Sequence, residues 1–423
     1  MRHVSNGLVR LILDQLESRC TPTIINVTDY DTWNVNDKGS LPWAVQEANT
    51  LPGADIILFS VGINQAKLVQ AESTLSITGE VTIRGAMAEG SSVTITGTKP
   101  FEFREPTDGL PRNHAIEGVT FKGCLGEQGG AVEIYAQNTV TVRNCAFIEN
   151  KGIAPDGAGT ETDGGAVYVR SGAKFVISSG AGQPVDNGTF VGQQTVFLRN
   201  ESLKDGGAIG SMGEVVIEAG WFQDNKAARH GGGIAVKGGD AKVTMAGGVS
   251  TSTFENNALL GVVDPPGGPQ PVGVSIATFK NNKALAGNGG GIYFGADYAG
   301  ASSLAYATFF GNDAAANLVA IETGFGGGVF IDGGTLSLSN CAFESNTAGT
   351  VNPATGLVHG GGGALALKNT TVNVATTDFS HNSATATGQH SYGISVGPNG
   401  KGVATNCTYL STSIYDPDDN WQG

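Results

Sequence analysis

Phe197-Leu198-Arg199-Asn200 … Gly206-Gly207-Ala208 … Glu214-Val215-Val216-Ile217 … Phe222-Gln223-Asp224-Asn225 … Gly232-Gly233-Ile234 is one unit of sequence followed by the start of its copy. A Phe-x-x-Asn element alternates with a glycine pair that leads into a small or branched apolar residue. The first element recurs at Phe147/Asn150, Phe197/Asn200, Phe222/Asn225, Phe254/Asn257, Phe279/Asn282, Phe309/Asn312, Phe343/Asn346 and Phe379/Asn382. The second recurs at Gly129-Gly130-Ala131, Gly164-Gly165-Ala166, Gly206-Gly207-Ala208, Gly232-Gly233-Ile234, Gly290-Gly291-Ile292, Gly327-Gly328-Val329 and Gly362-Gly363-Ala364. Between them lie short alternating runs such as Thr335-Leu336-Ser337-Leu338.

The shortest step, from Phe197 to Phe222 and from Phe254 to Phe279, is 25 residues. That length suits three short strands and three turns. One such turn of chain cannot bury its own apolar face. A second turn stacked about 4.8 Å away buries it and pairs the backbone in parallel ladders. The phenylalanines then stack inside the coil. The asparagines form a ladder at a corner, where Asn tolerates left-handed geometry. The glycine pairs permit a tight corner or a close backbone approach. A helical array is excluded, because each interior glycine would cost a helix about 1 kcal/mol. The expected fold is all-β: a single-stranded right-handed parallel β-helix.

Ser40-Leu41-Pro42-Trp43-Ala44-Val45-Gln46-Glu47-Ala48-Asn49 breaks the pattern and reads as one short helix. Ser40 is its N-cap, and Leu41, Ala44, Val45 and Ala48 are its apolar stripe. Such a helix caps the first end of the solenoid, where open strand edges would otherwise invite aggregation. Strands are expected at Asp55–Ser60, Leu75–Ile77, Glu80–Arg84 and Ser92–Thr96. The chain therefore divides into an N-terminal export or targeting segment (1–22), a cap with the first coils (23–100), the repeats (101–410) and a polar tail (411–423) around Asp416-Pro417-Asp418-Asp419.

Composition narrows the function. The 423 residues include 65 glycines, and charged residues make up 15%. The net charge of -14 and the absence of a basic stripe speak against nucleic acid as a partner. Anionic membrane surfaces are disfavoured for the same reason. No apolar run is long enough to span a bilayer. Neutral glycans, cationic surfaces and other proteins remain as partners. Five cysteines occur, and Cys145, Cys341 and Cys407 share the pattern Asn-Cys followed by Ala-Phe or Thr-Tyr. The equivalence places them in separate coils, beyond disulfide reach, as small buried residues. Neither they nor Cys20 and Cys124 show zinc spacing.

The alternation of Phe-x-x-Asn with Gly-Gly-Ala/Ile/Val resembles the repeats of chlamydial polymorphic outer-membrane proteins and related bacterial β-helix proteins. Gly39-Ser40-Leu41 … Ala44-Val45 … Glu47-Ala48-Asn49 … Pro52-Gly53-Ala54-Asp55-Ile56-Ile57 is similar to the N-terminal cap of many large exported bacterial β-helix proteins. Leu16-Glu17-Ser18-Arg19-Cys20-Thr21-Pro22 resembles a motif near the N-terminus of many planctomycete surface proteins, where it is associated with export. These resemblances run from Leu16 to Tyr409. They imply an exported protein at the cell surface, associated with the outer membrane or extracellular, in adhesion or surface display. The polymorphic membrane proteins end in a translocating barrel. No segment of that kind follows the repeats here, so outer-membrane insertion is not expected.

Many β-helix proteins cleave polysaccharides, which makes a glycoside hydrolase or lyase the alternative. A glycosidase needs two carboxylates about 5–9.5 Å apart. The candidates are Asp163 before Gly164-Gly165 and Asp205 before Gly206-Gly207, with His230 one rung on to tune their protonation. The structural alternative is a turn residue that bonds its own backbone. Calcium nonapeptides and nucleotide fingerprints are absent, the scattered His3, His114, His359, His381 and His390 have no metal spacing, and no cofactor or metal is expected. The inserts between a motif Asn and the next glycine pair mostly fall at one corner. Ala154–Asp163, Ala314–Phe325 and Ala348–His359 should therefore line one edge of the rod, as candidate recognition loops.

Overall fold

The computed structural model describes residues 22–85, 90–153, 163–178, 195–245, 277–315, 324–351, 358–359, 361–384, 392–417 and 419–422. Apart from the antiparallel pair Thr350–Val351 with Val358–His359, described strands pair in parallel with their equivalents one coil away. Three stacks result. The first sheet runs through thirteen described strands, from Ile24–Val27 to Trp421–Gln422. The second carries the Phe-x-x-Asn strands, from Ala66–Ala71 to Thr408–Leu410, with a row of two-residue strands beside it. The third runs through eleven, from Leu75–Ile77 to Ser413–Tyr415. The chain visits them in turn, which makes the molecule a parallel β-helix.

Alternation along each strand sends one set of side chains inward. Val140 and Val142, Phe175 and Ile177, and Val215 and Ile217 fill the core from the first sheet. Phenylalanine fills it from the second. Phe121, Phe147, Phe197, Phe222, Phe279, Phe309, Phe343 and Phe379 stack in one column that ends on Tyr409, with centroids 4.6–5.5 Å apart. The spacing follows from the distance between rungs, and each ring is held by those above and below.

Beside this column the asparagines are wholly hydrogen-bonded. Asn200 donates from its backbone N–H and from Nδ2 to Asn225 Oδ1, at 3.0 and 2.9 Å. Its Nδ2 also donates to the carbonyl of Phe147 at 2.9 Å. The same set of bonds links Asn150, Asn200, Asn225, Asn282, Asn312, Asn346 and Asn382. Cys124 stands where the next asparagine would be, and its backbone N–H donates to Asn150 Oδ1 at 2.9 Å. The left-handed residue at this corner is not the asparagine but the one before it: Glu149, Arg199, Asp224, Asn281, Gly311, Ser345 and His381 all have φ between 51 and 62°. Asparagine takes that conformation itself at the preceding corner, at Asn144, Asn340 and Asn406. The cysteines that follow these residues are free thiols, and burial pushes Cys145 up to about 12 and Cys341 up to about 11.

The glycine corner is shifted by one residue from its apparent sequence register. Val132, Val167, Ile209, Ile234, Ile292, Val329 and Leu365 share one rung position. The true unit is therefore Gly-Gly-(Ala or Gly)-(Val, Ile or Leu), and the third glycine of Gly231-Gly232-Gly233 replaces an alanine. The first glycine has positive φ, as at Gly164 (77°) and Gly206 (70°). A Cβ on the second would collide with the next coil: at Gly165 it would lie 2.0 Å from the carbonyl oxygen of Gly207.

Phe222 pairs and stacks directly with Phe279, and Phe254-x-x-Asn257 lies outside the described residues. Two expectations change. The segments 179–194 and 246–276 join the first sheet to the second, so long insertions use two corners rather than one. Residues past 410 also continue the stack. Ser413–Tyr415 pairs with Tyr392–Val396, and Trp421–Gln422 pairs with Lys401–Thr405. The missing side chain of Gly402 leaves the space that Trp421 fills. Strands this short show no alternation by which to recognise them.

At the first end, the helix Leu41–Thr50 packs across the opening strands of the first and third sheets. Ser40 Oγ accepts the Trp43 N–H at 3.2 Å, and Leu41, Pro42, Ala44, Val45 and Ala48 are buried. Replacing Asn225 by Ala leaves two donors of Asn200 and the carbonyl of Phe197 without partners. The expected loss is about 3 kcal/mol. Phe222→Ala should lose about 3–5 kcal/mol. Urea unfolding of each variant measures both.

Candidate functional site

The outer face of the third sheet forms a shallow trough. Its floor is the central residue of each strand: Glu102, Glu133, Tyr168, Gly210, Ala235, Tyr293 and Phe330 lie in register. The upstream wall is the residue before each glycine pair, including Asp163, Asp205, His230 and Asn288. The downstream wall is the residue after each strand, including Arg104, Tyr135, Arg170 and Lys237. The structure thus brings Asp163, Asp205 and His230 together on consecutive rungs.

Gly210 and Ala235 make this possible. Their small side chains leave a hollow in the floor, and a Cβ on Gly210 would lie 2.7 Å from that of Asp163. Lys237 reaches across the hollow to bridge both carboxylates, with Nζ 2.8 Å from Asp163 Oδ2 and in contact with Asp205 Oδ2. Arg229 forks onto Asp205, with Nε 2.9 Å from Oδ1. Asp205 Oδ1 also accepts the backbone N–H of His230 at 2.9 Å. His230 Nδ1 accepts the N–H of Asn288 at 3.0 Å, and Asn288 Oδ1 accepts that of Phe325 at 3.0 Å. At Asp205, His230 and Asn288 the residue before the glycine pair is therefore a turn residue whose acceptor caps the backbone of the next coil, not its own. The His230 ring stacks on Tyr293 at 4.3 Å, and Tyr293 stacks on Phe330 at 5.6 Å.

Burial raises the pKa of Asp163 and Lys237 lowers it, while the nearby charge of Asp205 raises it further; the net displacement is upward. Its Oδ1 is buried without a partner. Burial also pushes Asp205 up, but Arg229, Lys237 and His230 outweigh it and hold the carboxyl well below its ordinary range. His230 is pushed down to about 4, first by burial and then by Arg229 and Lys237, against the pull of Asp205. Two carboxylates displaced in opposite directions are what general acid–base chemistry requires. Here, however, Asp163 is 2% exposed and Asp205 is fully buried, each held by cations.

A second ion network occupies the trough nearer the helix, and the sequence reading missed it. Buried Lys99 lies 2.7 Å from Glu102 and in contact with Glu133. Arg170 Nε donates to Glu133 at 2.7 Å, and Arg104 pairs with Glu102. Tyr135 lies between the two guanidiniums, 4.6 Å from that of Arg104 and 4.4 Å from that of Arg170. These coils lack the full Phe-x-x-Asn element, so the register that aligns Glu102 with Glu133 is not visible in the repeat.

The other candidates separate. His114 is buried: its Nδ1 accepts the Val81 N–H at 3.3 Å and its Nε2 faces Asn138 Oδ1 at 3.0 Å. His381 is exposed in the corner, and the backbone of His359 pairs with Thr350. His3, Cys20 and His390 lie outside the described residues, as do residues 154–162, 316–323 and 352–357 of the three candidate loops. Among the described residues, no group of His, Cys, Asp and Glu is arranged to hold a metal ion, and no helix is long and apolar enough to cross a membrane.

Residues 277–295 match the model of the Chlamydia polymorphic membrane protein (Chlamydia_PMP) repeat. They run from the Phe279/Asn282 strand through the glycine corner to the strand Ile292–Phe294. No curated protein matches the sequence. The solved structures similar to it over most of this chain include two of low identity. One is ORF18 of Geobacillus virus E2, at 12% identity and a TM-score of 0.42, covering 100% of this chain and 63% of that one. This chain thus spans less than two thirds of the viral protein. The other is PfbA, a surface adhesin of Streptococcus pneumoniae, at 13% identity and a TM-score of 0.36, covering 93% of each chain.

The buried histidine sets a pH dependence. The folded pKa of His230 lies below the unfolded value of about 6.5, so the unfolded chain binds the extra proton first. Its contribution to stability is complete above pH 6.5 and is lost as the pH falls to about 4. His230→Asn should flatten the fall in Tm across this window, as read by thermal denaturation at a series of pH values.

Proposed function

We propose that the chain is an exported, non-catalytic β-helix scaffold of the cell surface or extracellular space. Its role is adhesion, envelope structure, or the binding of a glycan or protein. The observation that carries this reading is the state of the best carboxylate pair. Asp163 and Asp205 sit side by side, but Lys237 bridges them and Arg229 holds Asp205, with little of either open to a substrate. A nucleophile held under two cations is a poor one, and a buried pair of this kind serves first to join coils. The resemblance of Leu16–Pro22 to an export motif and the repeat match at 277–295 support a place outside the cell.

One observation favours the polysaccharide-active alternative: the opposite displacement of the two carboxyl pKa values. Incubation of the full chain with a panel of bacterial and algal polysaccharides separates the readings, with pull-down and new reducing ends scored together. The scaffold reading expects saturable binding without new ends. New ends that disappear in the Asp163→Asn/Asp205→Asn double variant would make the chain an enzyme. Asp205→Asn alone should lower stability by about 3 kcal/mol or more, because it leaves Arg229 and Lys237 without their shared partner.

A further inference from the structure

The chain carries a net charge of -14, yet the trough on the third sheet presents the opposite sign to solvent. Its carboxylates lie beneath its cations. The side chains of Glu102, Glu133 and Asp205 are 11, 3 and 0% exposed, whereas Arg104, Arg170 and Arg229, which pair with them, are 44, 38 and 46% exposed. Each buried carboxylate grips one part of a guanidinium and holds the rest outward. An arginine fork offers five N–H donors, and these contacts use only some of them. The side chains are therefore ordered before any ligand arrives, which reduces the entropy lost on binding.

The arrangement has direction as well as sign. Arg104, Tyr135 and Arg170 follow three consecutive strands in register, so they form one column along the rod axis. Tyr135 separates the two guanidiniums, and strand spacing puts Arg104 and Arg170 about 10 Å apart. Arg229 continues the cationic line on the opposite wall, two coils beyond Arg170. Glu127 is an exposed carboxylate at the rim, outside this line. Planar cations held at a fixed spacing, two of them packed on the Tyr135 ring, suit a polymer that offers carboxylates at regular intervals.

The geometry points to an extended acidic glycan, a polyuronate, lying along this trough. Its carboxylates meet Arg104, Arg170 and Arg229. The inference rests on the glycan-binding form of the scaffold reading and adds the class of glycan and the face that reads it.

The test uses the full chain and alginate oligomers, with dextran oligomers of equal length as the neutral probe and a sulfated glucan as a second polyanion. Affinities are measured by calorimetry at low and high salt. Arg104→Gln is the cleanest variant, because Lys99 still neutralises Glu102. Arg229→Gln is the second, because Lys237 still meets Asp205. The expected result is alginate binding that weakens with salt and falls tenfold or more in each variant, with Tm unchanged in Arg104→Gln. No alginate binding, equal affinity for dextran, tighter binding of the sulfated glucan, or full affinity in both variants would overturn the assignment. Release of new sugar ends from alginate would instead overturn the non-catalytic reading and leave the acidic-glycan assignment standing. Binding of dextran or a protein without alginate would do the reverse.

Discussion

No coil of this chain can be stable alone, and the rest of the structure follows from that constraint. A turn of some 25 residues leaves its apolar side and its backbone groups open above and below. Only an equivalent turn satisfies both, because hydrogen bonds and side-chain columns must be repeated at the same spacing. The phenylalanine stack and the asparagine ladder are the two forms this demand takes. The rings fill a core of uniform width. An asparagine such as Asn200 replaces backbone bonds lost at the corner, donating three hydrogen bonds and accepting two on its Oδ1.

The same constraint explains why charged residues gather where they do. The inner face is mainly apolar, with His114, Ser211 and Ser302 among its few polar members, and many corners are occupied by glycine and asparagine. The outer face of the third sheet is narrow, since its strands are three to five residues long and both flanks turn sharply. Long side chains from the two flanks meet over it. Where the floor is large, as at Tyr168 and Tyr293, they are kept apart by rings. Where it shrinks to Gly210 and Ala235, Lys237 crosses to the aspartates opposite. Carboxylates then sink below the cations that hold them, and an acidic protein acquires a positive strip.

The candidate aspartates illustrate how repetition misleads as well as informs. Position before a glycine pair marked Asp163 and Asp205 as neighbours, and they are. The same position is occupied by His230 and Asn288, which accept backbone N–H groups from the next coil as Asp205 does. A residue that recurs at one corner is first a corner residue. What distinguishes the aspartates is Lys237, 74 residues from Asp163 and reached only through the stacking.

The sequence by itself determined the period, the inward phenylalanines, the ladder asparagines and the capping helix, because each is a local pattern that recurs or a cap with its own signals. It did not determine which matches occupy rungs. Phe254, Phe279 and Phe309 all carry the motif, and only the pairing shows that Phe222 is followed in the column by Phe279. Nor did it show that a third glycine can stand for alanine, or that Trp421 closes over Gly402. The charged trough belongs wholly to the tertiary structure. Apart from the local contacts of Glu102 with Lys99 and Arg104, its partners lie 24 to 74 residues apart in the chain, and insertions of unequal length between coils erase any fixed spacing by which they could be found.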